Sequence, residues 1–165
     1  MRVYSIGEKT KEFENRLNYN YKLIYKVGCT TGLRISDIIK LEKSALKIER
    51  PTIKEQKTGK SKRIYIPRKL RKELQEYCKN NAKYVFESQI SKTGHITRQA
   101  VFKHFKRIAD ELGIPQNIGT HTMRKNYAKK LLLKHKSYKY IKNKLNHDNL
   151  QDTLLYLIDE VTENE

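Results

Sequence analysis

His121 and Arg124 lie three positions apart, in the segment Thr-His-Thr-Met-Arg, and can act together on an anion. Residues three apart share one face of a helix, so both side chains can meet the same phosphate. A guanidinium binds phosphate oxygens through a planar fork of N–H donors and keeps its charge at neutral pH. An imidazole exchanges protons near neutral pH. The pair therefore predicts phosphate binding combined with proton transfer.

Tyr156 differs from the other tyrosines in its position on the last predicted helix. On a helical wheel its apolar neighbours cluster within roughly 100°, and Tyr156 falls about 150° from their centre. A tyrosine of the core would lie on that apolar stripe. We therefore expect its phenol to face a ligand, where a cationic pocket and a base would have to activate it. The stripe consists of Leu150, Leu154, Leu157 and Ile158.

Four segments occur in the order and spacing of the catalytic segments of tyrosine recombinases, and the chain resembles that family, the phage integrases. Each segment alone is a weak signal, whereas the ordered set is specific. The resemblance covers residues 19–158. The segments are Thr-Gly-Leu-Arg-Ile-Ser-Asp at 31–37, Glu-Gln-Lys-Thr-Gly-Lys at 55–60, Thr-His-Thr-Met-Arg at 120–124, and Leu-Asn-His at 145–147, with Tyr156 nine residues further on.

The resemblance implies that a tyrosine hydroxyl cleaves a DNA strand and that a 3′-phosphotyrosine intermediate is rejoined without ATP, metal or cofactor. Arg34 and Arg124 would bind the non-bridging oxygens, where negative charge accumulates in the transition state. His121 would help to deprotonate the nucleophile, Tyr156. His147 would donate a hydrogen bond to a non-bridging oxygen.

Lys57 would donate the proton that the departing 5′-oxygen needs, since a lysine on a hairpin can reach a DNA backbone bound in a groove. It precedes the Thr-Gly pair of the predicted turn. Its neighbours Lys54, Lys60 and Lys62 are alternatives for this role. The position directly before the turn favours Lys57.

Asn146 is a departure from the family pattern, which usually has glycine before the fourth-segment histidine. Asparagine is the next best residue for a left-handed backbone, so we expect the loop to keep its shape.

The net charge of +18, from 36 basic and 18 acidic residues, favours a polyanionic partner. We expect this partner to be a double-stranded DNA recombination site, with the isolated domain monomeric and a tetramer on DNA. The residues expected to hold neighbouring phosphates are Arg98, Lys103, Lys106, Arg107 and Lys60.

Hydrophobic periodicity predicts an α+β fold that is predominantly helical, with a small three-stranded antiparallel sheet within 45–66 and a hairpin near residue 59. Gly-containing and Pro-containing breaks separate the helices. The predicted helices begin near 19 and 35 and then run over about 68–81, 97–112, 121–134, 137–145 and 149–158.

The expected organisation is a loose lead-in over 1–18, a tyrosine recombinase catalytic domain over 19–158 and an acidic tail over 159–165. The N-terminal domain with which relatives complete a clamp around DNA is expected to be absent.

No apolar run approaches the ~18 residues of a membrane span. The cysteines Cys29 and Cys78 fall in apolar patterns and are expected to be buried, reduced thiols. These features predict a cytoplasmic protein. The resemblance to the phage integrases implies a prokaryotic, phage or mobile-element origin.

Three other functions fit parts of the sequence. A non-catalytic DNA-binding or regulatory module of the same fold would explain the charge, and a type IB topoisomerase would use the same chemistry. A metal-dependent nuclease would need clustered carboxylates, whereas the acidic residues of the central chain are scattered. Those residues are Asp37, Glu42, Glu55 and Asp110.

Overall fold

The computed structural model describes residues 9–114, 118–155 and 157, and within them the fold is predominantly helical, as predicted. Eight α-helices, one 3₁₀ helix and two strands follow one another in these ranges. The α-helices are α1 Thr10–Arg16, α2 Tyr19–Thr31, α3 Ile35–Ile38, α4 Arg68–Tyr77, α5 Arg98–Glu111, α6 Thr122–Leu133, α7 Tyr138–Leu145 and α8 Leu150–Leu155. The 3₁₀ helix is Lys43–Lys47, and the strands are β1 Thr52–Lys54 and β2 Ser61–Arg63.

Side-chain caps and left-handed residues set several helix ends. Thr97 accepts a hydrogen bond from the backbone N–H of Ala100 at the start of α5, as its position before the helix predicts. Ser137 caps α7 in the same way. Gly32 ends α2 at φ 63° and Asn146 ends α7 at φ 53°, so the asparagine does take the left-handed conformation expected of it.

The sheet within the described residues has two strands, where the sequence predicted three. β1 and β2 pair antiparallel, with Thr52 opposite Arg63. Backbone hydrogen bonds of 3.0 Å continue this pairing beyond both strands, from Ile64 to Pro51 and from Ile66 to Glu49. The segment expected to form another strand is partly the 3₁₀ helix, whose Leu46 is buried in the core.

The expectation of a loose lead-in is wrong for residues 10–17, because α1 belongs to the core. Phe13 is fully buried and packs edge-on against Tyr25 and Phe105, with ring centroids 5.5 and 5.6 Å away. Leu17 is buried as well. Residues 1–8 lie outside the described ranges.

Helices α2 and α6 pack closely where two glycines of α2 and its C-terminus face α6. A Cβ on Gly28 would lie 2.4 Å from the Met123 sulfur, and one on Gly32 would lie 2.4 Å from the Tyr127 ring. This approach brings the first catalytic segment, which begins at the end of α2, against the helix that carries Arg124.

Helix α8 departs from its predicted apolar stripe. Leu150 is 42% exposed, whereas Thr153 is fully buried and Leu157 is buried beside Leu145. The stripe residue Ile158 and the predicted nucleophile Tyr156 lie outside the described residues. Within the described ranges, no helix combines the length and apolar character that crossing a membrane requires.

Candidate active site

Arg124 is the anchor of the site, since its side chain is only 1% exposed and reaches two other segments. Its Nη1 donates to the carbonyl of Gly32 at 2.5 Å, and its Nη2 donates to the carbonyl of Leu145 at 2.9 Å. Nη2 also lies 3.2 Å from Nε2 of His147. The guanidinium therefore ties α6 to the ends of α2 and α7, where two other catalytic segments begin or end.

His147 is held between Arg124 and Thr153. Because a guanidinium can only donate, Nε2 of His147 accepts from Arg124, and its Nδ1 carries the proton shared with the Thr153 hydroxyl at 3.0 Å. Burial and the Arg124 charge lower the pKa of His147 to about 4. In this arrangement His147 is a neutral acceptor. Donation to a phosphate would need the other tautomer, in which the Thr153 hydroxyl donates to Nδ1.

Arg34 immediately precedes α3 and is paired with a buried carboxylate. Its Nη1 lies 2.9 Å from Oε2 of Glu55. Burial alone would raise the pKa of Glu55, but the Thr58 hydroxyl and the charges of Arg34 and Lys62 hold it below its usual value. A second buried carboxylate, Asp37, accepts from the backbone N–H of Gln56 at 2.8 Å. The β1–β2 turn is thus fastened to the segment that carries Arg34.

A cleft of about 470 Å³ collects the predicted residues of three segments. Arg34, Lys57, His121 and Arg124 all line it, and Arg98 from the start of α5 adds a further cation. The surrounding protein and the charges of Arg124 and Arg98 lower the pKa of His121. The lowered pKa favours the neutral imidazole, which is the form that can accept a proton.

The four lysines of the hairpin have different surroundings, and Lys57 is the one of them that lines the cleft. Lys54 is exposed on β1, and Lys60 forms an ion pair with Asp148. Lys62 is only 5% exposed, with its Nζ 3.4 Å from the carbonyl of Gly32. Burial and the Arg124 charge lower its pKa to about 7.

The cations expected to hold neighbouring phosphates differ in their position relative to the cleft. Arg98 lines the cleft, whereas Arg107 forms an ion pair with Glu111 and lies about 180° from Arg98 around α5. Lys103 and Lys106 are exposed on the same helix. A role in DNA binding stays a prediction for all of these residues and for Lys60.

Sequence reasoning assigned no positioning role to Asp37, Glu55 or Thr153. Asp37 and Glu55 lie inside the first and second segments, and Thr153 lies three residues before Tyr156. In the sequence the two carboxylates belong to the scattered acidic residues of the central chain. In the part of the chain that the structure describes, no three His, Cys, Asp or Glu side chains are arranged to hold a metal ion.

The model of the phage integrase family matches residues 4–162, and the chain belongs to this family. The resemblance drawn from the four segments is thereby confirmed. "Probable integrase/recombinase YoeC" of Bacillus subtilis (strain 168) is 29% identical over 159 residues, which cover 94% of this chain and 87% of that protein. A "Tyrosine recombinase" of Pseudothermotoga lettingae is 30% identical over 157 residues, which cover 91% of this chain and 53% of that protein. The chain thus spans about half the length of this second relative.

Solved structures show the same fold. The crystal structure of XerA recombinase has a TM-score of 0.77 at 18% identity and matches 100% of this chain and 66% of its own chain. A structure of XerH site-specific recombinase has a TM-score of 0.76 at 19% identity, and the match covers 99% of this chain and 51% of the XerH chain. The fold is therefore that of a tyrosine recombinase catalytic domain, and its small sheet has two strands within the described residues.

Replacing Lys62 by methionine tests whether burial lowers the pKa of this lysine and makes its charged form costly in the folded state. Between pH 7 and ~10 the unfolded chain holds a proton on Lys62 that the folded chain has lost, so the free energy of unfolding of the wild type rises with pH. At and below pH 7 the folded state carries a buried, charged lysine at a cost. We expect Lys62→Met to be more stable than the wild type at pH 6–7 and this advantage to shrink towards pH 9 in urea denaturation.

Lys54→Met is the matched control, because Lys54 is exposed on the partner strand. Its stability relative to the wild type should not vary with pH over this range. A Lys62→Met advantage that stays constant from pH 6 to pH 9 would contradict the description of Lys62.

Proposed function

We propose that this chain is the catalytic domain of a site-specific DNA recombinase, which cleaves and rejoins DNA strands through a 3′-phosphotyrosine intermediate without ATP or metal. One observation carries the proposal. Arg34, Lys57, His121 and Arg124 come from three separate segments of the sequence and meet in one cleft.

The cleft suits a phosphodiester in its transition state. Attack on phosphorus places extra negative charge on the non-bridging oxygens, and fixed cations stabilise that charge. Arg34 from the first segment and Arg124 from the third both line the cleft, so guanidinium charge from two segments faces the bound phosphate. Arg124 cannot drift from its position because its other donors are bound to Gly32 and Leu145.

The proposed reaction needs two proton transfers, and His121 and Lys57 in the cleft support them. Tyr156 gives its phenolic proton to His121 while its oxygen bonds to phosphorus. The bond from phosphorus to the 5′-oxygen breaks, and that oxygen takes a proton from Lys57. The products are a 3′-phosphotyrosine and a free 5′-hydroxyl. Attack by another 5′-hydroxyl reverses these steps and joins the strands, since the phosphotyrosine bond conserves the energy of the phosphodiester.

Tyr156 lies outside the described residues, and its assignment as nucleophile rests on spacing in the sequence. It follows His147 by nine residues and Thr153 by three. In the helix that the sequence predicts over 149–158, residues three apart share one face. The Thr153 hydroxyl contacts His147. These two relations support Tyr156 over the other tyrosines.

Double-stranded DNA containing a recombination site is the proposed partner. XerH was solved bound to a palindromic difH substrate in a post-cleavage complex, and a lambda integrase dimer was solved bound to a core site. The net charge of +18 supports the same partner here. A monomer for the isolated domain and a tetramer on DNA stay predictions.

A cytoplasmic location is also part of this proposal. Cys29 and Cys78 are free, buried thiols, which suits a reducing compartment and agrees with the sequence prediction for both residues.

Covalent trapping tests the function and the nucleophile together. A pool of nicked duplexes, tiled across the genomic neighbourhood of this chain's gene, allows the short leaving strand to diffuse away after cleavage. We expect SDS-resistant protein–DNA adducts with the wild type and none with Tyr156→Phe, which lacks the attacking oxygen. Gel mobility and sequencing of the trapped DNA give the readout.

Tyr138→Phe is the control, because Tyr138 is exposed at the start of α7 and belongs to no catalytic segment. It should form adducts like the wild type. Adducts that persist in Tyr156→Phe would sink the assignment of the nucleophile. Salt-dependent DNA binding by the wild type without any adduct would identify a non-catalytic module instead.

Lys57 is tested by changing the leaving group. A 5′-bridging sulfur leaves as a thiolate, whose conjugate acid has a pKa near ~8.5, so it needs no proton from the enzyme. We expect Lys57→Ala to slow adduct formation on the normal substrate by about 10²–10⁴-fold and to cleave the sulfur substrate at a rate near that of the wild type.

Lys54→Ala provides the matched control and should cleave both substrates like the wild type. A Lys57→Ala defect of equal size on the oxygen and sulfur substrates would show that Lys57 is not the proton donor.

A further inference from the structure

We propose that Glu55 is a positioning residue for strand cleavage, holding the Arg34 guanidinium and the turn that carries Lys57 in one fixed arrangement. This inference rests on the proposed function and assigns a role within it to a residue that does not line the cleft.

One oxygen of Glu55 makes both connections. Oε2 lies 2.9 Å from Nη1 of Arg34 and accepts a hydrogen bond of 2.9 Å from the Thr58 hydroxyl. The Glu55 side chain is completely buried and that of Arg34 is 17% exposed. A buried pair is poorly screened by solvent, so the carboxylate restrains the guanidinium more firmly than a surface partner would.

The backbone of Glu55 closes the turn around Lys57. Its N–H donates to the carbonyl of Lys60 at 3.0 Å, and its carbonyl accepts from the N–H of Gly59 at 2.9 Å. The Thr58 hydroxyl that donates to Glu55 also accepts from the N–H of Lys60 at 3.2 Å. Lys57 lies in the middle of this closed turn. Movement of Glu55 would therefore displace the backbone that carries Lys57 towards the cleft.

The positive charges around Arg34 provide a second argument for the positioning role of Glu55. Arg34 and Arg124 both lie close enough to Lys62 for their charges to lower its pKa. Before a phosphate binds, a negative group is needed to hold Arg34 near these cations. Glu55 supplies it, and a guanidinium has five N–H donors, so pairing through Nη1 leaves others for a phosphate.

Glu55 acts through other residues rather than on the reacting atoms. It is absent from the lining of the cleft, where Arg34 and Lys57 are present. Its effect on the reaction should therefore depend on those two side chains. A general contribution to folding would not depend on them.

A double-mutant cycle measures this dependence through single-turnover rates of adduct formation on the trapped substrate. Glu55→Gln keeps the size of the side chain and removes its charge, and we expect it to slow the reaction by about 10–100-fold through misplacement of the reacting groups. In an Arg34→Ala background with the 5′-bridging sulfur substrate, neither Arg34 nor Lys57 contributes. Glu55→Gln should then change the rate by less than about twofold.

Two further variants serve as a matched control and as a second test of the Glu55 contacts. Glu73→Gln is the matched control, because Glu73 on α4 is an ion-paired carboxylate outside the cleft, 3.0 Å from Lys26, and it should react like the wild type. Thr58→Val removes the hydroxyl that donates to Glu55 and should slow the reaction in the same direction. It keeps the inference testable if urea denaturation shows that Glu55→Gln does not fold.

The outcomes separate this inference from the function on which it rests. Wild-type rates for Glu55→Gln, or an equal slowing in every background and on both substrates, would overturn the positioning role while leaving the recombinase function intact. If Glu55→Gln is unfolded, a Thr58→Val variant that reacts like the wild type would overturn it as well. Absence of adducts with the wild type would overturn the function itself, and this inference with it.

Discussion

The buried guanidinium of Arg124 organises the rest of the site. Burying a charge is costly unless its donors are satisfied, and here they reach the carbonyls of Gly32 and Leu145 and the imidazole of His147. Those acceptors belong to segments that are far apart in the sequence. The need to satisfy one guanidinium therefore fixes how the end of α2, the start of α6 and the end of α7 meet.

Around this anchor the cations outnumber the anions. Arg34, Lys57, Arg98 and Arg124 line the cleft, while the carboxylates of Asp37 and Glu55 lie buried beside it. These carboxylates hold the segments together without filling the cleft. The remaining positive charge is available to a phosphate, and its value to catalysis lies in being fixed before the substrate arrives.

The sequence was sufficient for features that depend on local pattern. The spacing of the four segments, the Thr97 cap and the left-handed Asn146 all follow from short stretches of chain. Helix α1 was missed because Phe13 stands alone among charged residues, and only its contacts with Tyr25 and Phe105 reveal a core position. The roles of Glu55 and Thr153 were missed for the same reason, since each depends on a partner brought near by folding.

The free energy of unfolding of Arg124→Lys, measured by urea denaturation, tests most directly whether this guanidinium assembles the site. Lysine keeps the charge but lacks the planar fork, so it cannot serve Gly32, Leu145 and His147 together. Leaving buried acceptors unpaired should lower the stability by about 2 kcal/mol or more. An unfolding free energy equal to that of the wild type would contradict the account and confine Arg124 to binding the phosphate.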